Sequence, residues 1–249
     1  MNVRRITAIP LATCAFSALL ALGGCGTSGS DHSSGNSATG GAGGMTNVIA
    51  GELPIIVAAG ADVPYQFGDN PYGVTGGAFL AKAPMGSDTV VLDTTQSGKI
   101  CLSGMVEAVP TPADGSHPPY STWWGFELGF NLNQGTDGVK NPWTVPAGVS
   151  GLWFTVDGAQ IPPIRFKTTP TGRDPALEQD SCALVHPATG DTSQIPFTSM
   201  YVQCWDGPQG TGLTDTSNGL LDMGLQIAAA TGVAYPIDFC LTHVGVIVN

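Results

Sequence analysis

Seven residues combine types and spacing that suit the holding of a polyhydroxylated ligand: Glu127, Asn131, Trp153, Arg165, Lys167, Gln226 and Asp238. Two carboxylates, two amides, a guanidinium and an ammonium give hydrogen bonds in fixed directions, and the charged and planar groups give the stronger ones. An indole adds a flat apolar surface of the kind that packs on the C–H side of a pyranose. The same residues contain a second chemistry. Cleaving a glycosidic bond takes two carboxylates across a cleft, and Glu127 with Asp238 or Asp157 would supply them. Glu occurs only four times in the chain, which makes Glu127 conspicuous. Gly-x-Ser-x-Gly and His-Glu-x-x-His, the signatures of two other hydrolytic chemistries, do not occur. Against both readings stands an ordinary solvated sheet face, on which Glu127, Arg165 and Asp238 would form surface ion pairs of little worth.

The elements carrying these residues read as strands. In "WWGFELGFNLNQ", residues 123–134, Trp124, Phe126, Leu128, Phe130 and Leu132 make one apolar row, and Trp123, Gly125, Glu127, Gly129 and Asn131 make the other. Strict alternation of this length describes a strand with one buried face. Similar phases give core rows Leu152/Phe154/Val156, Ile164/Phe166, Met223/Leu225/Ile227 and Ile237/Phe239/Leu241. Their opposite rows are Trp153/Thr155/Asp157, Arg165/Lys167/Thr169, Asp222/Gly224/Gln226 and Asp238/Cys240/Thr242. If these outward rows lie on one sheet, Arg165 and Lys167 meet Glu127, Gln226 and Asp238, with Trp123 or Trp153 as a stacking platform.

Further strand candidates are 52–59, 77–83, 88–95, 99–109, 181–186 and 200–205, separated by turn signals such as "GDNPYGVTGG" and "GPQGTG". The latter has no Lys near it and no helix after it, so it reads as a turn rather than a phosphate cradle. No segment sustains a helical period; "LLDMGLQIAAAT" comes nearest, and Gly224 in its middle argues against a helix. Many short strands with regular punctuation predict an all-β chain, a two-sheet antiparallel β-sandwich.

The motifs "CLSG", "WWGFELGFNLNQ", "GLWFTVDG", "IRFKT", "CWDG" and "PIDFCLTHVGVI", in this order, resemble carbohydrate-binding-like domains of secreted and lipidated myxobacterial proteins. Those are jelly-roll sandwiches of the galactose-binding-like class, similar to family 11 carbohydrate-binding modules. The likeness runs from about Asn70 to the end of the chain. It implies that a polysaccharide or oligosaccharide lies on the concave face of one sheet. Matched by strand phase, Glu127 and Asn131 fall on that face, with Arg165 and Lys167, and with Gln226 and Asp238 from the last two strands. The outward rows contain no Tyr, so the aromatic platform of the resembling modules is not evident. The expected function is non-catalytic glycan binding; a hydrolase or lyase using Glu127, or a surface protein-interaction domain, are the alternatives.

The N-terminus concerns location. Arg4 and Arg5 precede an apolar run and then "LALGGCG", the pattern of a secretory signal. Leu22-Gly23-Gly24-Cys25 looks like a lipobox, with Cys25 lipidated. The expected organisation is a lipoprotein signal over 1–24, a Gly/Ser-rich tether over 25–49 and a β-sandwich over 50–249. Gly26 lacks an acidic retention signal, which points to the outer membrane or cell surface of a Gram-negative bacterium. Losing residues 1–24 removes Arg4, Arg5 and no acid, taking the net charge from −11 to −13. An acidic chain so poor in Lys and Arg is no partner for nucleic acid, and touches membrane through its lipid alone.

Cys101, Cys182, Cys204 and Cys240 remain in the exported chain, and an even set there reads as disulfides. Three connectivities are open. Cys101 and Cys240 are each out of phase with apolar neighbours, which favours their pairing if the first and last core strands are adjacent. Cys182–Cys204 would follow, contributing about 3 kcal/mol by chain entropy, with Trp205 packed on it. The cysteines and four scattered His residues lack zinc spacing. Asn131, Asn133 and Asp137 resemble part of a calcium loop without its closing acid, so calcium there would be structural. No cofactor is expected.

Overall fold

The computed structural model describes residues 50–57, 65–87, 89–93, 95–96, 98–114, 118–135, 138–172, 180–202, 204 and 211–249. The chain divides into a unit of residues 1–46 and one of residues 47–249. Residues 1–24, where a signal is expected, Cys25, the expected tether, Asp137 and Trp205 lie outside the described residues, and the Asn131/Asn133 loop is therefore described without its acid.

Twelve strands are described: β1 (Ile55–Val57), β2 (Tyr65–Phe67), β3 (Ala78–Lys82), β4 (Val91–Asp93), β5 (Ile100–Val106), β6 (Phe126–Asn131), β7 (Val149–Gln160), β8 (Ile164–Pro170), β9 (Ser181–Val185), β10 (Thr192–Pro196), β11 (Leu220–Ile227) and β12 (Tyr235–Val248). Sheet I has the order β10-β7-β12-β5-β4 and sheet II the order β3-β6-β11-β8-β9, with β1 and β2 forming a separate pair. All these strand pairings are antiparallel. The eight strands from β5 on give 5-12-7-10 in one sheet and 6-11-8-9 in the other, which is the double Greek key of a jelly roll. The expected two-sheet jelly-roll sandwich is thus what the chain forms.

The core lies between the inward rows read from the sequence. Phe126, Leu128 and Phe130 of β6, Leu152, Phe154 and Val156 of β7, and Ile237, Phe239 and Leu241 of β12 are all buried. Phe154 of sheet I stacks on Phe166 of sheet II with centroids 5.4 Å apart, joining the two layers. Two strands escaped the sequence pattern. The pair β1–β2 uses Tyr65–Phe67, and β10, "TSQIP", buries only Ile195. A short, polar strand ending in Pro suits a sheet edge, where one partner suffices. Conversely, 200–205 forms no strand among its described residues; Tyr201 makes an isolated bridge to Cys182.

The pattern also shifts inside β12. Leu241 pairs with Val156 but His243 with Thr155, so a bulge inserts one residue. The buried row then continues as Val244 and Val246, and the outward row passes to His243 and Gly245. Thr242, at the irregularity, donates its hydroxyl to the carbonyl of Thr155.

Cys101 and Cys240 are directly opposed on β5 and β12 and form a disulfide, as their phase suggested. Cys182 and Cys204 form the second. No helix among the described residues is long and apolar enough to cross a membrane.

Candidate functional site

The outward face of sheet II collects most of the residues named above. Strand register sets them in rows running across the strands. One row is Ala81, Glu127, Gln226, Arg165 and Leu184; the next is Phe79, Gly129, Gly224, Lys167 and Cys182. Asn131 lies one step further, opposite Asp222. Glu127, Asn131, Arg165, Lys167 and Gln226 therefore share a face.

Two of the seven do not. Trp153 is on β7 and Asp238 on β12, both in sheet I, so the sandwich core separates them from Glu127. Alternation reports which residues point outward and is silent on which sheet they leave. Trp153 is 4% exposed and donates its indole N–H to the carbonyl of Val246 at 3.0 Å, so it is a packing residue rather than a platform. The carboxylate pairs Glu127/Asp238 and Glu127/Asp157 fail for the same reason, because Asp157 also belongs to sheet I.

Two glycines make the centre of the sheet II face. A side-chain carbon at Gly224 would come within 2.1 Å of Glu127 Oε1, and one at Gly129 within 2.1 Å of the Phe79 ring. Glycine lets the Glu127 carboxylate lie across β11 to reach β8. There Lys167 Nζ meets Glu127 Oε2 at 3.1 Å and also pairs with Asp180 Oδ2. Asp180 in turn accepts the Thr169 hydroxyl at 2.7 Å. Asp222 stands beside this group with its Oδ1 buried and without a hydrogen-bond partner. Sequence phase had shown Asp222 on the outward row; Asp180, just before β9, carried no signal.

The electrostatics follow from partial burial. Burial pushes the Glu127 carboxyl above its ordinary range, and Lys167 only partly restores it. Burial also raises Asp222, opposed by the Thr169 hydroxyl. Burial alone would lower the Lys167 ammonium, but Glu127 and Asp180 outweigh it and hold it above its ordinary value. One ammonium serves several acids, so this centre is an ion cluster that braces the sheet.

To one side of the cluster, Asn131 is 5% exposed and donates its amide to Gln134 Oε1 at 2.9 Å, turned toward the following loop. The same loop sets Lys140 Nζ 4.9 Å above the Phe79 ring, a cation–π contact. To the other side the row is more open. Arg165 Nη1 donates to Gln226 Oε1 at 3.2 Å, which holds two planar polar groups side by side on neighbouring strands. Beyond them lies a cleft of about 420 Å³ between the β7–β8 corner, Leu184 of β9 and the β11–β12 hairpin. Tyr235 lines it, with its hydroxyl donating to the carbonyl of Ala228. The outward rows of sheet II contain no Tyr; this one enters from the beginning of β12, which alternation on a single sheet could not reveal.

No group of three or more His, Cys, Asp or Glu suited to a metal occurs among the described residues. Comparison with known proteins finds no matching family profile and no matching curated protein. Among solved structures, the chain is similar to PfGH50B, at 7% identity and a TM-score of 0.42, over 66% of this chain and 22% of that one. It thus spans about a fifth of that protein's length (22%). It is similar to the family 11 carbohydrate-binding module of the cellulosomal cellulase Lic26A-Cel5E of Clostridium thermocellum, at 13% identity and a TM-score of 0.42, over 80% of this chain and 95% of that one. A family 11 module from Clostridium thermocellum in complex with a β-1,3-1,4-mixed-linked tetrasaccharide matches at 12% identity and a TM-score of 0.39, over 79% and 95% of the two chains.

Proposed function

We propose that this protein binds a polysaccharide or oligosaccharide on the outward face of sheet II without turning it over. The observation carrying this reading is the register row in which Glu127, Gln226 and Arg165 stand on three adjacent strands. Arg165 and Gln226 bond to each other, which fixes their geometry on the face. A rigid sheet that holds such groups loses little freedom when a ligand arrives. Lys167 and the acids behind it fix the floor.

The protein is read as an exported lipoprotein, anchored through Cys25 on the 25–49 tether at the outer membrane or cell surface. Two disulfides accord with an oxidising compartment. Metabolic labelling with a radioactive fatty acid is expected to mark the native chain and to be lost in Cys25→Ser.

Titration of the exported domain against a panel of β-glucans and other polysaccharides, beside a reducing-sugar assay, tests the binding reading. Binding without new reducing ends is expected, weakened about tenfold in Gln226→Ala. New reducing ends that vanish in Glu127→Ala would make the protein a hydrolase. Binding untouched by both Gln226→Ala and Arg165→Ala would move the site to another surface.

A further inference from the structure

We infer that the cleft at the end of the sheet II row is a terminal subsite, in which one pyranose ring of the bound glycan packs against Tyr235, Pro163 and Leu184. This rests on the glycan reading of the same face.

Continuity is the first reason. The row Glu127–Gln226–Arg165–Leu184 ends at the cleft, and both Arg165 and Leu184 line it. A chain lying along the row reaches the cleft without leaving the protein surface.

The lining is the second. Tyr235, Pro162 and Pro163 are flat and apolar, while Gln160 and Arg165 bring polar groups to the same space. A pyranose is amphipathic in the matching sense, with an apolar C–H face and a rim of hydroxyls. At about 420 Å³ the cleft falls within the range of roughly 300–1,000 Å³ usual for small-ligand sites.

Preorganisation is the third. The Tyr235 hydroxyl is held by the Ala228 carbonyl, and burial, only partly countered by Arg165, pushes its pKa up to about 12. The ring stays neutral and fixed at any physiological pH. The hairpin behind it is braced by the Ala230–Val233 bridge and by Tyr120, whose hydroxyl lies 2.6 Å from that of Thr231. The outward rows of sheet II bring Phe79, covered by Lys140, and no Tyr; the ring at the cleft comes from β12.

The test is a ladder of gluco-oligosaccharides from di- to hexasaccharide, β-1,4, β-1,3 and mixed-linked, titrated by calorimetry. In the native protein, affinity should climb with length and level off once a ring fills the cleft. Leu184→Ser and Tyr235→Ala should each lower that plateau about fivefold and leave the shortest binding oligosaccharide unchanged. Tyr235→Phe, which keeps the ring but loses the bond to Ala228, should recover most of the plateau. Leu184 is 54% exposed, so its replacement does not endanger the fold. A Leu184→Ser ladder that matches the native one, or that falls equally at every length, overturns the subsite. If Gln226→Ala still weakens binding in that case, the glycan reading survives. If no member of the ladder and no polysaccharide of the panel binds the native chain, both fall together.

Discussion

The outward faces of the two sheets began as one pattern and ended as two different surfaces. Sheet I spends its face on structure. Its β5 and β12 are clamped by Cys101–Cys240, and the segment around Gly51 and Leu53 lies along β12 through bonds to Val246 and Val244. Trp153 fits where Gly245 has no side chain, since a carbon there would lie 2.4 Å from the indole. Near it, His243 Nδ1 and Glu52 Oε1 meet at 2.8 Å. Sheet II has a largely buried polar row, with Gln226 and Arg165 half-buried at its more open end, and a cleft beside it. The two layers divide these features between them.

Trp153→Ala should strain this division most. Removing a buried Trp costs about 3–5 kcal/mol, seen as a lower urea midpoint, while oligosaccharide affinity of the folded fraction is unchanged. A loss of affinity as large as in Gln226→Ala would mean that the two faces are not independent.

Lys167→Met attacks the other sheet. Stranding the buried Glu127 without its cation should cost about 3 kcal/mol at pH 7. Lys167 sits above its ordinary value, so its contribution is complete below the unfolded pKa and is lost as pH rises through the folded one. Glu127 and Asp222 are raised as well, so folding makes them take up protons more readily. Acidification from pH 7 to 5 should therefore restore part of the Lys167→Met deficit, read by urea unfolding at the two pH values. A deficit that grows on acidification would contradict the cluster.

Gln226→Ala separates binding from stability. Its expected tenfold loss of affinity should accompany a change in stability below about 1 kcal/mol, the usual worth of one hydrogen bond. The mildest change is Asp238→Ala. Asp238 is exposed on sheet I, and neither stability, within about 0.5 kcal/mol, nor binding should move. A clear loss of binding in this variant would put the glycan on sheet I and invert the comparison.

Much of the fold was legible in local pattern. The buried rows of β6, β7, β8, β11 and β12 are those that alternation named, because a two-residue period leaves each side chain one choice of face. The Cys101–Cys240 pair followed from the same logic. The bulge in β12 was not legible: "DFCLTHVGVIV" keeps apolar residues on either parity, so the slip near Thr242 leaves no mark. β10 was missed because an edge strand with one core contact has no period to display.

At the site the division is sharper. The residue types of Glu127, Arg165, Lys167 and Gln226, and their outward direction, belong to the sequence alone, since strand geometry dictates both. Which outward rows share a sheet was decided only in three dimensions, where the alternation of strands between layers put β6, β11 and β8 side by side and sent β7 and β12 to the other side. The same folding brought Asp180 to Lys167 and Tyr235 to the cleft. Pairings of that kind depend on long-range register, a property of the assembled sheets that no short stretch of chain contains.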